Sequence, residues 1–410
     1  MLPQELTNAI VAELEAKRDL EACSLTARSF VTPSQSALFR KKSLQWDSSS
    51  RIAPAFERAM SLLEKHPHIA FHVRELTIDV PKFPASQSIL AAVLRTMNNL
   101  ERLGINGHAQ DWDNLVPELK DAILNVISLP SLRRLHLLRI SSLPISVLFH
   151  AASSVGVLSL NLVTPLVPRD ISLNDGDNLN VQLGTLILPS CLTTPALLQV
   201  CDFFLRLQNL QRLSIQMQSS GHHRTIITSS SQSLVHLKLD CAAFLTPLDL
   251  PPLPNLQTLS LSLAKAVDND RAHLPTNLSN TIASLPTHSP LLQRLDLTVC
   301  VPRVEMNPVW DPDSPPFPLF QQNDSSPSTS TSTSTSYKDQ SALPCLRSIH
   351  CHLEYSEPSL DRTGMYFGRA TTRFVEAMRA IFPAADRDRI LSVGRAERKS
   401  SMIDYFDHLP

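Results

Sequence analysis

Residues 210–215 read LQRLSI, residues 256–261 read LQTLSL and residues 292–297 read LQRLDL. Each stretch has an apolar residue, two further residues, and then two apolar residues separated by one. This alternation places the last two apolar side chains on one face of a β-strand and the residue between them on the other face. One such strand cannot bury its apolar face alone, so the pattern predicts strands that stack side by side around a shared core.

The pattern occurs ten times in the chain. The other copies are VRELTI from residue 73, LERLGI from 100, LRRLHL from 132, VGVLSL from 155, LGTLIL from 183, LVHLKL from 234 and LRSIHC from 346. The first nine copies follow one another at intervals of 22 to 36 residues, with a mean near 27. This period is typical of leucine-rich repeats, and its variation predicts an irregular solenoid.

The expected fold class is therefore α/β, with a curved parallel sheet that has helices and loops on its outer side. Three segments between the copies, 88–97, 115–127 and 195–205, have the spacing of amphipathic helices. Residues 301–342 are rich in Pro, Ser and Thr and contain one leucine, which predicts a disordered insertion. After it, Phe374, Ala377, Met378 and Ile381 predict a helix that caps the C-terminal end.

The composition favours recognition over catalysis. The 410 residues include 65 leucines but only 9 glycines, where average usage of about 7% would give roughly 29. Glycine-rich phosphate-binding loops are therefore not expected, and no common catalytic or nucleotide-binding motif is present. The net charge of −1 argues against nucleic-acid binding. We expect no enzymatic activity, no catalytic residues and no cofactor.

The cysteines and the N-terminus indicate an intracellular protein. Seven scattered cysteines without a CxxC motif do not form a disulfide framework, and neither a signal peptide nor a membrane-spanning run is evident. We expect a cytoplasmic or nuclear location and no membrane partner. No metal site is expected either: His350 and His352 alternate with Cys351 along a predicted strand, so these side chains point to opposite faces.

Residues beside and between the strand leucines are expected to form an exposed face of the sheet. Arginines are favoured anchors at protein–protein interfaces, and several fall at equivalent strand positions. The expected target-binding face comprises Arg102, Arg134, His136, Arg212, His236, Lys238 and Arg294. The alternative is that these are ordinary solvated strand residues.

Residues 2–44 do not follow the repeat. Pro3 and Glu5 suit the first turn of a helix, and a second helix with Leu20, Cys23 and Ala27 on one face is expected after a charged break at 15–19. Pro33 is expected to interrupt the chain before a third short segment near Leu38 and Phe39. The three helices could form a module that caps the first repeat or a docking site for a partner.

This block resembles the F-box. The resemblance is carried by Leu2-Pro3-x-Glu5-Leu6, by Ile10 and Leu14, and by Asp19-Leu20-x-x-Cys23-Ser24-Leu25-x-x-Arg28-x-Phe30. Residues 56–76 are similar to the junction at which fungal F-box-like proteins enter a leucine-rich-repeat region. The resemblance implies docking to the adaptor subunit of an SCF-type ubiquitin ligase and, through it, to cullin. The implied adaptor-binding residues are Leu2, Pro3, Leu6, Ile10, Leu20, Leu25 and Phe30.

Two functions are consistent with this organisation. The first is a substrate-recognition subunit of an SCF-type cullin–RING ligase that binds a target protein on the repeat face. The alternative is a non-catalytic repeat scaffold whose degenerate F-box has no role in ubiquitination. The expected divisions are an F-box-like module at 1–46, a connecting helix or linker at 47–72, the solenoid at 73–300, the insertion at 301–342, and the last repeat strand with its helical cap at 343–410.

Overall fold

The fold is α/β, with a large parallel sheet of twelve strands among the described residues. A computed structural model of the protein describes residues 3–14, 16–45, 54–166, 183–189, 207–217, 222–241, 248–264, 281–282, 284–301, 343–355, 375–376, 378–379, 382, 385–386 and 388–395. The chain divides into two compact units. Unit 1 comprises Met1–Leu186 and Pro195–Phe203, and unit 2 comprises Ile187–Thr194 and Phe204–Pro410.

Unit 1 begins with three helices, α1 (Gln4–Ala12), α2 (Lys17–Thr26) and α3 (Arg28–Phe39). Helices α1 and α2 both pack against α3. Pro3 lies immediately before α1, as its N-cap. Helix α2 begins inside the charged segment, and Ala27 lies beyond its end in an extended conformation. The expectation that Ala27 shares a helical face with Leu20 is therefore wrong.

The expectation that Pro33 interrupts the chain is also wrong. Helix α3 runs through Pro33, although a proline inside a helix removes one backbone hydrogen bond and crowds the carbonyl four residues earlier. The break between the second and third helices lies instead at Ala27, whose φ of −156° and ψ of 154° are those of a strand.

The sheet of unit 1 begins directly after these helices. Its strands are β1 (Lys41–Leu44), β2 (Glu75–Asp79), β3 (Arg102–Asp111), β4 (Arg134–Ser141), β6 (Val157–Asn161) and β8 (Thr185–Leu188), and the boundary with unit 2 falls within β8. A separate two-stranded sheet pairs β5 (Leu143–Pro144) with β7 (Pro165–Leu166). Strand β1 was not predicted. The backbone carbonyl of Arg40 accepts hydrogen bonds from the N–H groups of Arg74 and Glu75, which joins the N-terminal helices to the sheet.

Helices connect the strands of unit 1. They are α4 (Pro54–Lys65), a 3-10 helix (Pro67–His72), α5 (Pro84–Thr96), a second 3-10 helix (Trp112–Asn114), α6 (Pro117–Ile127) and α7 (Ile145–Ser154). Helices α5 and α6 confirm two of the three expected helical segments, and consecutive helices from α4 to α7 pack on one another. The third expected segment, 195–205, lies outside the described residues.

Unit 2 continues the strand pattern. Its strands are β9 (Arg212–Met217), β10 (His236–Cys241), β11 (Thr258–Ala264), β12 (Arg294–Val301), β13 (Ser348–Tyr355) and β14 (Leu391–Arg395), with helix α8 (His222–Ser229) between β9 and β10. Each neighbouring pair from β9 to β14 is parallel. Residues 302–342, which include nearly all of the expected insertion, lie outside the described residues.

Each of the ten sequence copies forms one strand of the large sheet. Equivalent residues pair directly, for example Leu237 with Leu259 and Leu259 with Leu295. In the first nine copies all three apolar residues are buried. The different intervals between copies therefore correspond to connecting segments of different length, while equivalent strand residues stay in register. This pairing confirms the predicted parallel arrangement.

The C-terminal part differs from the prediction. Strand β13, which corresponds to the tenth copy, is not the last strand, because β14 pairs with it in parallel. Met378 is helical and buried, while Phe374, Ala377 and Ile381 lie outside the described residues. The expected helix therefore precedes another strand of the sheet rather than closing the end.

Candidate functional site

Helix α1 leaves its two largest apolar side chains about half exposed to solvent. It packs inward through Thr7 and Val11, which are buried, and the Thr7 hydroxyl donates a hydrogen bond to the carbonyl of Pro3. Leu6 and Ile10 lie four residues apart and are 51% and 44% exposed. Since residues at this spacing share one helical face, α1 presents an apolar stripe to solvent.

The other expected adaptor-binding residues differ in accessibility. Leu25, near the end of α2, is 87% exposed, whereas Leu20 is buried. Leu20 is therefore a packing residue within the helical module and is not available on its surface. Pro3 is exposed and Phe30 is half-buried. Leu2 lies outside the described residues. We call Leu6, Ile10 and Leu25 the exposed apolar residues of the module.

The expected target-binding residues of unit 1 lie in a row across neighbouring strands. Arg102 pairs in register with Glu75 on one side and with Arg134 on the other. The Glu75 carboxylate lies 3.9 Å from Arg102 and 3.3 Å from Lys41. Each of these accessible ion pairs stabilises the protein only slightly, but together they offset part of the positive charge. His136 lies two residues beyond Arg134 on the same face and is half-buried.

The corresponding rows of unit 2 contain Arg212, His236, Lys238 and Arg294. Arg212 pairs in register with His236, and all four side chains are half-buried. Arg294 Nε donates to both carboxylate oxygens of Asp296, at 2.9 and 3.0 Å. Asp296 is buried and also accepts a hydrogen bond of 3.1 Å from the Ser260 hydroxyl. Arg294 is thus held by a partner on its own strand.

The face is less open than the sequence indicates. Several residues expected to be exposed on it are buried: Ser159, Thr185, Ile187, Ser214, Thr258, Ser260 and Asp296. Neighbouring strands lie about 4.8 Å apart, so a short side chain between long ones has little access to solvent. The expectation of an exposed polar column is wrong at these positions, and the accessible part consists of the longer side chains.

The pKa values of several titratable groups in this sheet are shifted by their surroundings. Burial, with added repulsion from Arg212 and Arg294, lowers the pKa of His236 to about 4, so His236 is neutral at pH 7. On the opposite, core-facing side of the sheet, burial raises the pKa of the Cys241 and Cys351 thiols to about 12. Since the thiolate is the reactive form of cysteine, both thiols are inert structural groups.

A polar cluster that links the end of β2 to the middle of β3 was not predicted. Asp79 Oδ1 accepts a hydrogen bond of 2.9 Å from Asn106 Nδ2 and lies 3.1 Å from His108 Nε2. His108 and Ala109 both have positive φ, a conformation uncommon for residues other than glycine. Two polar residues at equivalent register positions of neighbouring strands, here Asp79 and Asn106, are the signal that could have indicated this cluster.

Gln87 of α5 has a structural role that the repeat pattern did not reveal. Its buried side chain donates to the Pro81 carbonyl and accepts from the Val116 N–H, at 2.9 and 2.8 Å. Many repeats satisfy such backbone groups through a residue placed just after the strand, whereas here a glutamine from the following helix does so. Leucine-rich repeats usually place an Asn or Cys three residues after the last strand leucine, and Cys191 and Cys300 match that position in this sequence. Cys191 and the Cys300 side chain lie outside the described residues.

Other kinds of site were sought over the same part of the chain. No group of three or more His, Cys, Asp or Glu side chains among the described residues is arranged to hold a metal ion. No helix in the described ranges is long and apolar enough to span a bilayer. Comparison with models of known protein families gives no match, and neither does a search of curated proteins.

Proposed function

We propose that the protein is a non-catalytic substrate-recognition subunit of an SCF-type cullin–RING ubiquitin ligase. In this proposal the N-terminal helices bind the adaptor, and the polar face of the repeat strands binds a target protein. The ligase then transfers ubiquitin to the target because the two are held close together. The proposal interprets the strands as irregular leucine-rich repeats and the three helices as an F-box.

The single observation that most supports the proposal is the outward apolar stripe of α1. A helix that served only to cap the sheet would turn Leu6 and Ile10 inward, because burying a leucine or isoleucine stabilises a protein by about 1.5–3 kcal/mol. Here the inward positions are Thr7 and Val11 instead. Leu6 and Ile10 are two of the residues that the F-box resemblance assigns to the adaptor, and a partner helix or groove would bury them.

The experiment is a titration of purified SCF adaptor into the purified chain. Replacing Leu6 and Ile10 together by Asp is expected to weaken binding at least about 100-fold, because two anchors each worth about 1.4 kcal/mol or more would be lost. The matched control replaces Asn8 and Ala12 by Asp. These residues are also exposed, also lie four residues apart, and belong to the same helix.

The outcomes separate the proposal from its alternative. The control variant should bind within about threefold of wild type, and both variants should remain folded by circular dichroism because no fully buried residue is changed. If the wild-type chain does not bind the adaptor, or the Leu6/Ile10 variant binds as tightly as the control, the proposal is wrong. The first of these results would favour a repeat scaffold without a role in ubiquitination.

A further inference from the structure

The accessible polar face of unit 2 is rich in hydrogen-bond donors where β9 and β10 begin. Arg212 and Ser214 lie two residues apart on β9, and they pair in register with His236 and Lys238 on β10. Residues two apart on a strand share one face, so the four side chains form a compact group. The intervening Leu213 and Leu237 point to the opposite face and are buried in the core.

Two polar atoms within this group are buried and have no hydrogen-bond partner in the protein. They are the Ser214 hydroxyl oxygen and His236 Nδ1. Buried polar groups in folded proteins are nearly always hydrogen-bonded, and an unsatisfied one calls for an explanation. Two of them on neighbouring strands, both beside cationic side chains, indicate a place where a ligand supplies the missing partners.

The charges favour an anionic ligand. Arg212 and Arg294 act together on His236, and their positive potential opposes its protonation. Two carboxylates lie on the same face. Asp296 is bonded to Arg294 and Ser260, and Asp240 lies two residues beyond Lys238, towards the other end of the strand.

Arg212 and Lys238 also interact with other groups in the protein. A guanidinium nevertheless has five N–H donors and an ammonium three, so interactions within the face leave capacity for a ligand. The equivalent row in unit 1 differs, since Glu75 lies between Lys41 and Arg102 there. On β9 and β10 no residue at the equivalent position is acidic.

We propose that Arg212, Ser214, His236 and Lys238 form a binding site for an anionic group, a carboxylate or a phosphoryl group, on a segment of the target protein. As the long side chains of Arg212 and Lys238 turn to contact the anion, the buried Ser214 hydroxyl would become accessible and donate to it, and neutral His236 would donate one N–H. The existence of a target rests on the proposed function, whereas anion binding is a property of this chain alone and is measured without the adaptor.

The test is calorimetry on the full chain with three synthetic peptides of equal length that differ only at a few test positions. One contains glutamates, one contains phosphoserines, and the third contains glutamine and serine at those positions. Binding of either anionic peptide at least tenfold tighter than the neutral one is expected, and the stronger of the two identifies the source of the anion. Equal binding of all three peptides would overturn the proposal.

Variants locate the site. Arg212→Gln and Lys238→Gln should each weaken binding of the anionic peptide at least tenfold. The matched control is Arg347→Gln, which removes an exposed arginine that precedes β13 in the same unit, and it should change binding less than twofold. Equal effects of Arg212→Gln and Arg347→Gln would contradict the assignment. Adaptor binding should be unchanged in all three variants, so failure of this proposal is distinguishable from failure of the adaptor proposal.

A second measurement needs no substitution at the site. A bound anion offsets the positive potential at His236, so the anionic peptide should raise the pKa of His236 by at least one unit from about 4. The pKa is followed by NMR of the imidazole. The neutral peptide should leave that pKa unchanged. If the Arg212 and Lys238 variants do not fold, this titration of the wild-type chain decides the question. An unchanged His236 pKa at saturating anionic peptide would overturn the proposal.

Discussion

Replacing Leu259 by alanine tests the core that the repeated strands share. Leu259 is fully buried in β11, between Leu237 of β10 and Leu295 of β12. The change removes three carbon atoms. At about 0.8 kcal/mol for each buried methylene-sized group the transfer loss is about 2.4 kcal/mol, and the cavity that remains raises the total to about 3–4 kcal/mol.

The assay is urea unfolding followed by circular dichroism, with Leu291→Ala as the matched control. Leu291 precedes β12 in the same unit and is 43% exposed, so its replacement should lower the free energy of unfolding by less than about 1 kcal/mol. Equal losses for the two variants would refute the account, because they would show that the strand leucines are no better buried than a surface leucine.

A double-mutant cycle tests the register itself. Leu237 and Leu259 are direct neighbours, and replacing both by alanine should give a coupling energy of about 0.5–3 kcal/mol. Leu213 and Leu295 lie three strands apart in the same unit, about 14 Å at the usual strand spacing, so their effects should be additive within about 0.5 kcal/mol. Similar coupling in both pairs would contradict the strand order.

Three further predictions concern single residues. In thermal unfolding, Gly107→Ala should lower stability by about 1–3 kcal/mol, because the new Cβ would lie 2.7 Å from the Arg139 carbonyl oxygen. The control, Gly394→Ala, should not lower stability, because no atom lies within 4 Å of its new Cβ. Pro33→Ala should raise the unfolding temperature, because it restores a backbone donor inside α3; a lower temperature would count against a continuous helix. His236 is protonated near pH 6.5 in the unfolded chain and only near pH 4 in the folded protein. The free energy of unfolding should therefore fall as the pH drops through this range, and the fall should be less steep in the His236→Gln variant.

The sheet could be predicted from the sequence because the leucine pattern marks the strand positions that are buried in the core. In copies such as VRELTI and LQRLDL the three apolar positions are buried in the core. Strands β1 and β14 were not predicted because neither residues 41–44 nor residues 391–395 have the complete leucine pattern of the ten copies. Both lie at the ends of the strand order, and lysines such as Lys41 are common on edge strands.

The positions of the candidate site residues were predictable, but their accessibility was not. Strand alternation correctly placed Arg212 and Ser214 on the polar face, and burial of Ser214 depends on the length of the side chains around it. Helical spacing likewise placed Leu6 and Ile10 together, while burial of Leu20 depends on how α1 and α2 pack against α3. Such neighbours come from distant parts of the chain and are not encoded in any local pattern.

The most direct measurement is hydrogen–deuterium exchange of the full chain with and without purified SCF adaptor. We expect slower exchange over Gln4–Ala12 and Lys17–Thr26 when the adaptor is present, because the exposed apolar residues Leu6, Ile10 and Leu25 belong to these helices. Exchange in β10, β11 and β12 should stay unchanged. Unaltered exchange in both helices at saturating adaptor, or protection confined to the sheet, would show that the N-terminal helices do not bind the adaptor.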